Sequence, residues 1–346
     1  MPKHRTAALA LALAITFALG TLGLSCSSDD AGTAGADAAD NASATASEAT
    51  AAPAATDAPA VDLPDVVVTY SVLGAFVEQL VRGVADVITI VPDGQDPHDF
   101  EPSPRDIEII NNATLVVANG LDLEEGLDDA LAMAAANGTK VFYVADHVTV
   151  LDIVDVNDHS AHGHSHPGAQ TDHSQDDHEH TDDPHVWLSP ATMLEALPAL
   201  TTAMSGALTV DLTTASDTFA GELTAVDAEL GALFDGLSDC QLVTGHNELG
   251  YFAQRYGCTV IAAILSSPST TAEESASNVE FVIDVIKTHT ARAVFTSLGT
   301  NPAVARQVAD EVGVPLVEIS THYLGTTASY IEFIRQLGTT IATSLR

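Results

Sequence analysis

The chain has 346 residues, 46% of them hydrophobic, which is more than one ordinary domain and enough for two. Lys and Arg number 11 against 48 Asp and Glu, a formal net charge of −37. Such a surface repels phosphate backbones and excludes nucleic acid as a partner, while it concentrates cations and suits an exterior setting.

The start, MPKHR, is basic, and residues 7–24 carry no charge, which is the pattern of a secretory signal over 1–25. An uncleaved membrane anchor is the alternative, since the apolar stretch is just long enough to span. The residues that follow, LGLSCSSD at 22–29, resemble a bacterial lipobox and make Cys26 the expected lipidated residue, although Gly23 stands where the motif usually has Leu. Residues 26–60 are almost all Ala, Thr, Ser, Asp and Gly. They bury too little apolar surface to offset the entropy of ordering, and read as a disordered linker.

Globular patterning begins at Val61, and an N-terminal α/β lobe is expected over 61–208. Continuous β-branched runs at 65–70, 87–91, 115–118 and 141–144 read as buried strands, with helices at 75–81 and 123–136 between them. Inside this lobe, 158–182 forms a loop with His159, His162, His164, His166, His173, His178 and His180 spaced by Asp, Ser, Gly and Pro. Imidazoles on a tract without hydrophobic periodicity attract divalent transition metals; a merely solvated loop is the bland alternative. One long amphipathic pattern follows, expected as a bridging segment over 209–238, in which Phe219, Leu223, Val226, Leu230, Leu233 and Leu237 make a single stripe. A helix over 212–236 would rise about 37 Å and join two lobes stiffly. The strand and helix alternation returns over 239–346, with strands at 242–244, 260–262, 293–295 and 316–319 and helices at 249–256, 276–288 and 302–312.

With Cys26 assigned to acylation, Cys240 and Cys258 remain. An even remainder outside the cytoplasm favours a disulfide, and each cysteine precedes one of two expected strands that can lie side by side. A Cys/Cys/His zinc site is the rival.

Four histidines sit where strands end or turns begin: His98 in PHDFEPSP, His185 in DPHVW, His246 in TGHNELGYF and His322 in ISTHYLG. In open α/β sheets ligands bind beyond the carboxyl ends of the strands, so two lobes facing each other would bring these rings into one cleft. Four imidazole nitrogens satisfy tetrahedral zinc. Asp99 and Glu101 are candidates to orient a ring by hydrogen bonding. Phe100 and Trp187 are expected to pack, and His147 and His289 to be structural.

The motifs HDFEPSP at 98–104, DPHVWLSP at 183–190 and GHNELGYFAQRYG at 245–257, with SPSTTAEESAS at 267–277 and THYLG at 321–325, resemble the zinc/manganese metal-binding solute receptors of ABC importers. The resemblance covers about Val61 to the C-terminus. It implies an α/β fold of two parallel-sheet lobes bridged by one rigid helix, with metal in the interlobe cleft. It also implies delivery to an ABC permease and its ATPase, and no enzymatic activity. At position 322, where the family usually carries Asp or Glu, this chain has His322, with Glu318 or a water as the alternative occupant. Nitrogen in place of a hard oxygen favours Zn(II) over Mn(II) as the transported ligand. The expected protein is therefore an exported lipoprotein on the cell membrane, a monomer, and a zinc receptor. A zinc-dependent hydrolase or lyase and a surface metal buffer or adhesin are the competing classes.

Overall fold

The computed structural model describes residues 63–153, 156, 182–237, 239–272 and 275–346. The signal and lipobox, the Ala/Thr/Asp linker and the histidines between 159 and 180 lie outside the described residues, so nothing here bears on those expectations.

Two four-stranded sheets, parallel throughout, carry the fold. The first contains β1 (Asp65–Tyr70), β2 (Asp86–Val91), β3 (Leu115–Ala118) and β4 (Val141–Tyr143), in the order β2-β1-β3-β4. The second contains β5 (Gln241–His246), β6 (Thr259–Leu265), β7 (Val294–Ser297) and β8 (Leu316–Ile319), in the order β6-β5-β7-β8. The two lobes thus repeat one winding. In each, the chain turns back beside the first strand, and a crevice opens at the carboxyl ends there. β1 shows why the strands read as unbroken apolar runs: every residue after Asp65 is buried, because β2 and β3 flank it and helices cover both faces.

The helices on the first lobe are α1 (Ser71–Val81), α2 (Pro104–Asn112), α3 (Asp128–Ala136) and α4 (Pro190–Leu208). α2 begins at a capping box in which Ser103 and Asp106 satisfy each other's backbone N–H groups, with Pro104 at the first turn. α4 is capped by the Ser189 side chain. α5 (Thr213–Phe234) leads to the second lobe, which carries α6 (Gly250–Tyr256), α7 (Ala276–His289), α8 (Ala303–Val312) and α9 (Tyr330–Ser344).

α5 spans 22 residues, about 33 Å at 1.5 Å per residue, slightly shorter than the expected 212–236. Its buried stripe is Phe219, Leu223, Val226 and Leu230, and it ends on Phe234 rather than Leu233, which is half-buried like Leu237. α9, which lies in the segment expected to belong to the C-terminal lobe, packs against α5 and also α1. Tyr330, Phe333, Ile334, Leu337 and Ile341 are buried there, and Tyr330 meets Phe76 edge-on at 5.2 Å between ring centres. One apolar core therefore runs from the first sheet through α5 and α9 into β5 and α6. A smaller core lies between the second sheet and α7 and α8, built on Val243, Val282 and Val308. The lobes accordingly belong to one unit, Ala60–Arg346.

Cys240 and Cys258 sit just before β5 and β6, adjacent parallel strands, and their sulfur atoms are at bonding distance with Cα atoms 4.6 Å apart. Among the described residues no helix is long and apolar enough to cross a membrane.

Candidate metal centre

Each of the four histidines is delivered by a different local device. His98 lies in a single 3-10 turn (Pro97–Asp99) after β2, whose start is capped by Asp96 accepting from His98 N at 3.0 Å. His185 follows Asp183-Pro184 on the approach to α4, and Asn119 Nδ2 fixes the Pro184 carbonyl at 2.8 Å. His246 is the last residue of β5, the strand beside which the second lobe turns back. His322 follows β8 in the turn that leads to α9.

These devices converge. One ligand nitrogen from each of His98, His185, His246 and His322 lies within 4.8 Å of the others, and all four side chains are buried. His98 Nε2 and His246 Nε2 each stand 3.4 Å from His185 Nε2. The His246 and His322 rings stack at 5.4 Å with an interplanar angle of 22°. Trp187 packs against both His185 and His322, and its Nε1 donates to the Thr321 carbonyl at 2.7 Å, tying the His185 segment to the His322 turn. Tyr70 also packs against Trp187, with ring centres 4.9 Å apart. Trp187 is thus a packing residue, and Phe100 is half-buried outside the cluster.

The electrostatics suit neutral imidazoles. Burial lowers the pKa of His98, against the pull of Asp96 and Asp183, and takes His185, His246 and His322 well below the ordinary imidazole value, with neighbouring rings adding to the effect at these three. The ligand lone pairs are therefore free near neutrality. Asp183 Oδ1 lies 2.8 Å from His185 Nδ1 and also accepts from His185 N at 3.0 Å. With Nδ1 donating to the carboxylate, Nε2 presents its lone pair to the cluster. Without a metal ion, burial pushes Asp183 up to about 7 and Glu248 up to about 8, against the hydrogen bonds each accepts, and a bound cation favours the ionised form of both. Glu248 Oε2 sits 3.5 Å from His246 Nε2 and 3.8 Å from His322 Nδ1.

Asp99, at the end of the 3-10 turn, and Glu101, two residues beyond it, are both exposed, apart from the buried rings they were expected to orient. Asp96 and Asp183 hold the His98 and His185 segments instead. Glu318 is exposed on β8 and lies outside the cluster. The signal for Asp183 and Glu248 is in the chain, since each carboxylate stands two residues from one of the histidines. His147 stacks on Phe142 and His289 ends α7, both apart from the cluster. A cavity of about 670 Å³ borders the cluster, lined in part by His246, Asp96, Asp99, Thr270, Thr296 and Asn301, oxygen-rich walls that suit an arriving hydrated cation.

Four convergent, buried, neutral imidazoles can coordinate a divalent ion. The chain is 28% identical over 259 residues to a putative metal-binding protein of Treponema pallidum (strain Nichols), covering 74% of this chain and 78% of that one. It is 27% identical over 265 residues to the zinc-binding protein AdcA of Streptococcus pyogenes serotype M3, covering 74% of this chain and half the length of AdcA (50%). In fold it is similar to a mutant Mn-bound periplasmic metal-binding protein from Candidatus Liberibacter asiaticus, with a TM-score of 0.69 at 19% identity, over 82% of this chain and 100% of that one. All three are metal-binding proteins by name. The model of the family described as ZnuA, zinc-uptake complex component A, periplasmic, matches residues 66–344. With that match over most of its length, the chain belongs to the ZnuA family of periplasmic metal-binding receptors of ABC importers.

Proposed function

We propose that this chain is an extracytoplasmic receptor that captures Zn(II) between its lobes through His98, His185, His246 and His322 and delivers it to an ABC permease driven by its ATPase. The observation that carries the reading is the buried set of four imidazoles, whose ligand atoms lie within 4.8 Å of one another. An all-nitrogen set suits zinc, whereas Mn(II) prefers carboxylate and carbonyl oxygens. AdcA, a zinc-binding protein by name, supports the same choice. Export follows from the signal pattern at 1–25 and the periplasmic family, and Cys26 carries the lipid that holds the receptor at the membrane. The adjacency of Cys240 and Cys258 supports a disulfide between them.

The loop histidines from His159 to His180 gather metal at weaker sites and pass it to the cleft. Deleting residues 159–180 should remove low-affinity zinc equivalents and leave one tight site; loss of the tight site would refute this division of labour. The reading as a whole is tested by metal analysis of protein purified without added ions, with Zn(II) and Mn(II) titrations of wild type and His322→Asp. Wild type should hold one zinc in preference to manganese, and the oxygen donor of His322→Asp should narrow that preference.

A further inference from the structure

Four neutral imidazoles leave the charge of a bound dication uncompensated in a buried cleft, and an uncompensated buried charge is costly. Asp183, on His185 Nδ1, supplies one negative charge. The second carboxylate at the cluster is Glu248, two residues beyond His246 at the turn into α6. Its side chain is fully buried. Oε1 accepts from Ser297 Oγ at the end of β7, which fixes the carboxylate plane and leaves Oε2 buried beside the His246 and His322 rings. His322 Nε2, a buried atom of the cluster without a partner, belongs to a ring whose Nδ1 lies 3.8 Å from that same oxygen.

The spacing is that of donors around one ion. Zinc–nitrogen bonds in a tetrahedron place neighbouring donor atoms about 3.4 Å apart. The His98–His185 and His185–His246 nitrogen separations are both 3.4 Å, and Glu248 Oε2 stands 3.5 Å from His246 Nε2. Position 248 thus places one carboxylate oxygen beside two of the four donor rings, His246 and His322.

We propose that Glu248 is a fifth member of the metal site, an anionic oxygen donor that neutralises the cation and sets how well an otherwise all-imidazole cleft holds harder divalent ions such as Mn(II). This rests on the receptor reading above. Hard cations favour carboxylate oxygen and gain most from it, while zinc is held chiefly by nitrogen. Loss of Glu248 therefore weakens manganese more than zinc.

The test uses the purified chain, stripped of metal, as wild type, Glu248→Gln and Glu248→Asp. Affinities for Zn(II) and Mn(II) are measured by chelator competition, and the visible spectrum is recorded with Co(II) as a probe of coordination number. Glu248→Gln keeps the volume and the Ser297 bond but removes the charge. It should retain one zinc per chain, with affinity reduced roughly 10–100-fold, the range seen when a carboxylate supporting a metal site is lost. Manganese affinity should fall by a larger factor, and the Co(II) bands should intensify and move as a five-donor site becomes four. Glu248→Asp keeps the charge and should recover part of the manganese affinity, which a purely structural role would not predict. If Glu248→Gln binds both ions as wild type does, with an unchanged Co(II) spectrum, the inference is overturned and the receptor reading stands. If Glu248→Gln does not fold, Glu248→Asp decides by the same affinities and spectrum, and wild-type values would overturn the inference. Absence of any tight site in wild type would overturn both.

Discussion

A single oxygen, Asp183 Oδ1, receives both the backbone N–H of His185 and its ring Nδ1, so main chain and imidazole are held by one carboxylate. The approach is close enough that a Cβ on Gly250 would come within 2.4 Å of Asp183 Oδ2, which is why the first residue of α6 has no side chain. Asp183→Asn keeps an acceptor but loses the charge that raises the basicity of His185. Zinc affinity should fall about 10–100-fold with little change in the fold of the metal-free protein, measured by chelator competition and circular dichroism. Gly250→Ala, which touches no histidine, should lower affinity in the same direction by pushing that carboxylate aside. A second buried carboxyl bears on stability alone. Glu124 accepts from Asn119 N at 2.9 Å and from Thr69 Oγ1, and burial raises its pKa from 4.5 to about 7. A folded-state pKa above the unfolded one gives stability that is present below pH 4.5 and lost as pH rises through about 7. Relative to wild type, Glu124→Gln should therefore gain stability across that window. The gain is on the order of 3 kcal/mol, from the pKa difference at about 1.4 kcal/mol per unit. Urea unfolding of both metal-free proteins at pH 5 and pH 8 checks the sign.

The segment between β2 and α2 carries His98 and is bonded to two turns of the opposite lobe. Asp93 Oδ1 accepts from Leu324 N at 2.6 Å, its Oδ2 accepts from Gly325 N at 3.2 Å, and Asp96 Oδ2 accepts from Thr270 Oγ1 at 2.7 Å. Leu324 and Gly325 directly follow the His322 turn, so Asp93 couples closure of the lobes to the placement of a candidate ligand. Asp93 is exposed, and water can replace these bonds, which suits a contact that must open for release. Asp93→Asn retains one acceptor and turns an amide N–H₂ toward a backbone donor. It should speed zinc dissociation several-fold while leaving metal-free stability within about 1 kcal/mol, as measured by stopped-flow transfer to a chelator. At this scale the chain is informative where one force dominates. The strands are legible because burial on both faces leaves only β-branched and aliphatic side chains, as in 65–70 and 115–118. α5 is legible from its stripe, but its end is not, since Phe234 and Leu233 are equally apolar and only packing chooses the former. α4 is obscured by Pro198 and by the Ala and Thr residues that soften its periodicity. The four histidines are legible because each stands at a strand end or in a Pro-bounded turn. Asp93 is not, because its donors are backbone groups 231 and 232 residues away.

At the scale of the molecule, the packing of α9 decides how the lobes behave together. Its residues are buried against α5 and α1, and a Cβ on Gly338 would meet Leu230 at 2.5 Å, so α5 and α9 touch closely along the bridge. With one core running through both lobes, the metal-free protein should unfold in a single transition rather than one lobe at a time. The metal site draws His98 and His185 from one side of the bridge and His246 and His322 from the other, so it exists only when both lobes are folded and apposed. Zinc then binds the native state alone, apart from weak capture by the loop histidines, and stabilises it by mass action. Free zinc at 100 times the dissociation constant gives about 2.7 kcal/mol. For a folded unit of this size that corresponds to a rise in Tm of roughly 4–5 °C. Calorimetry should show one transition that moves upward with zinc concentration and stays single. In His185→Ala, which lacks the nitrogen at the centre of the cluster, the upward shift should shrink to what the loop alone can give. Two resolved transitions, of which zinc moved only one, would mean that the site is assembled within a lobe and that the shared core does not couple them.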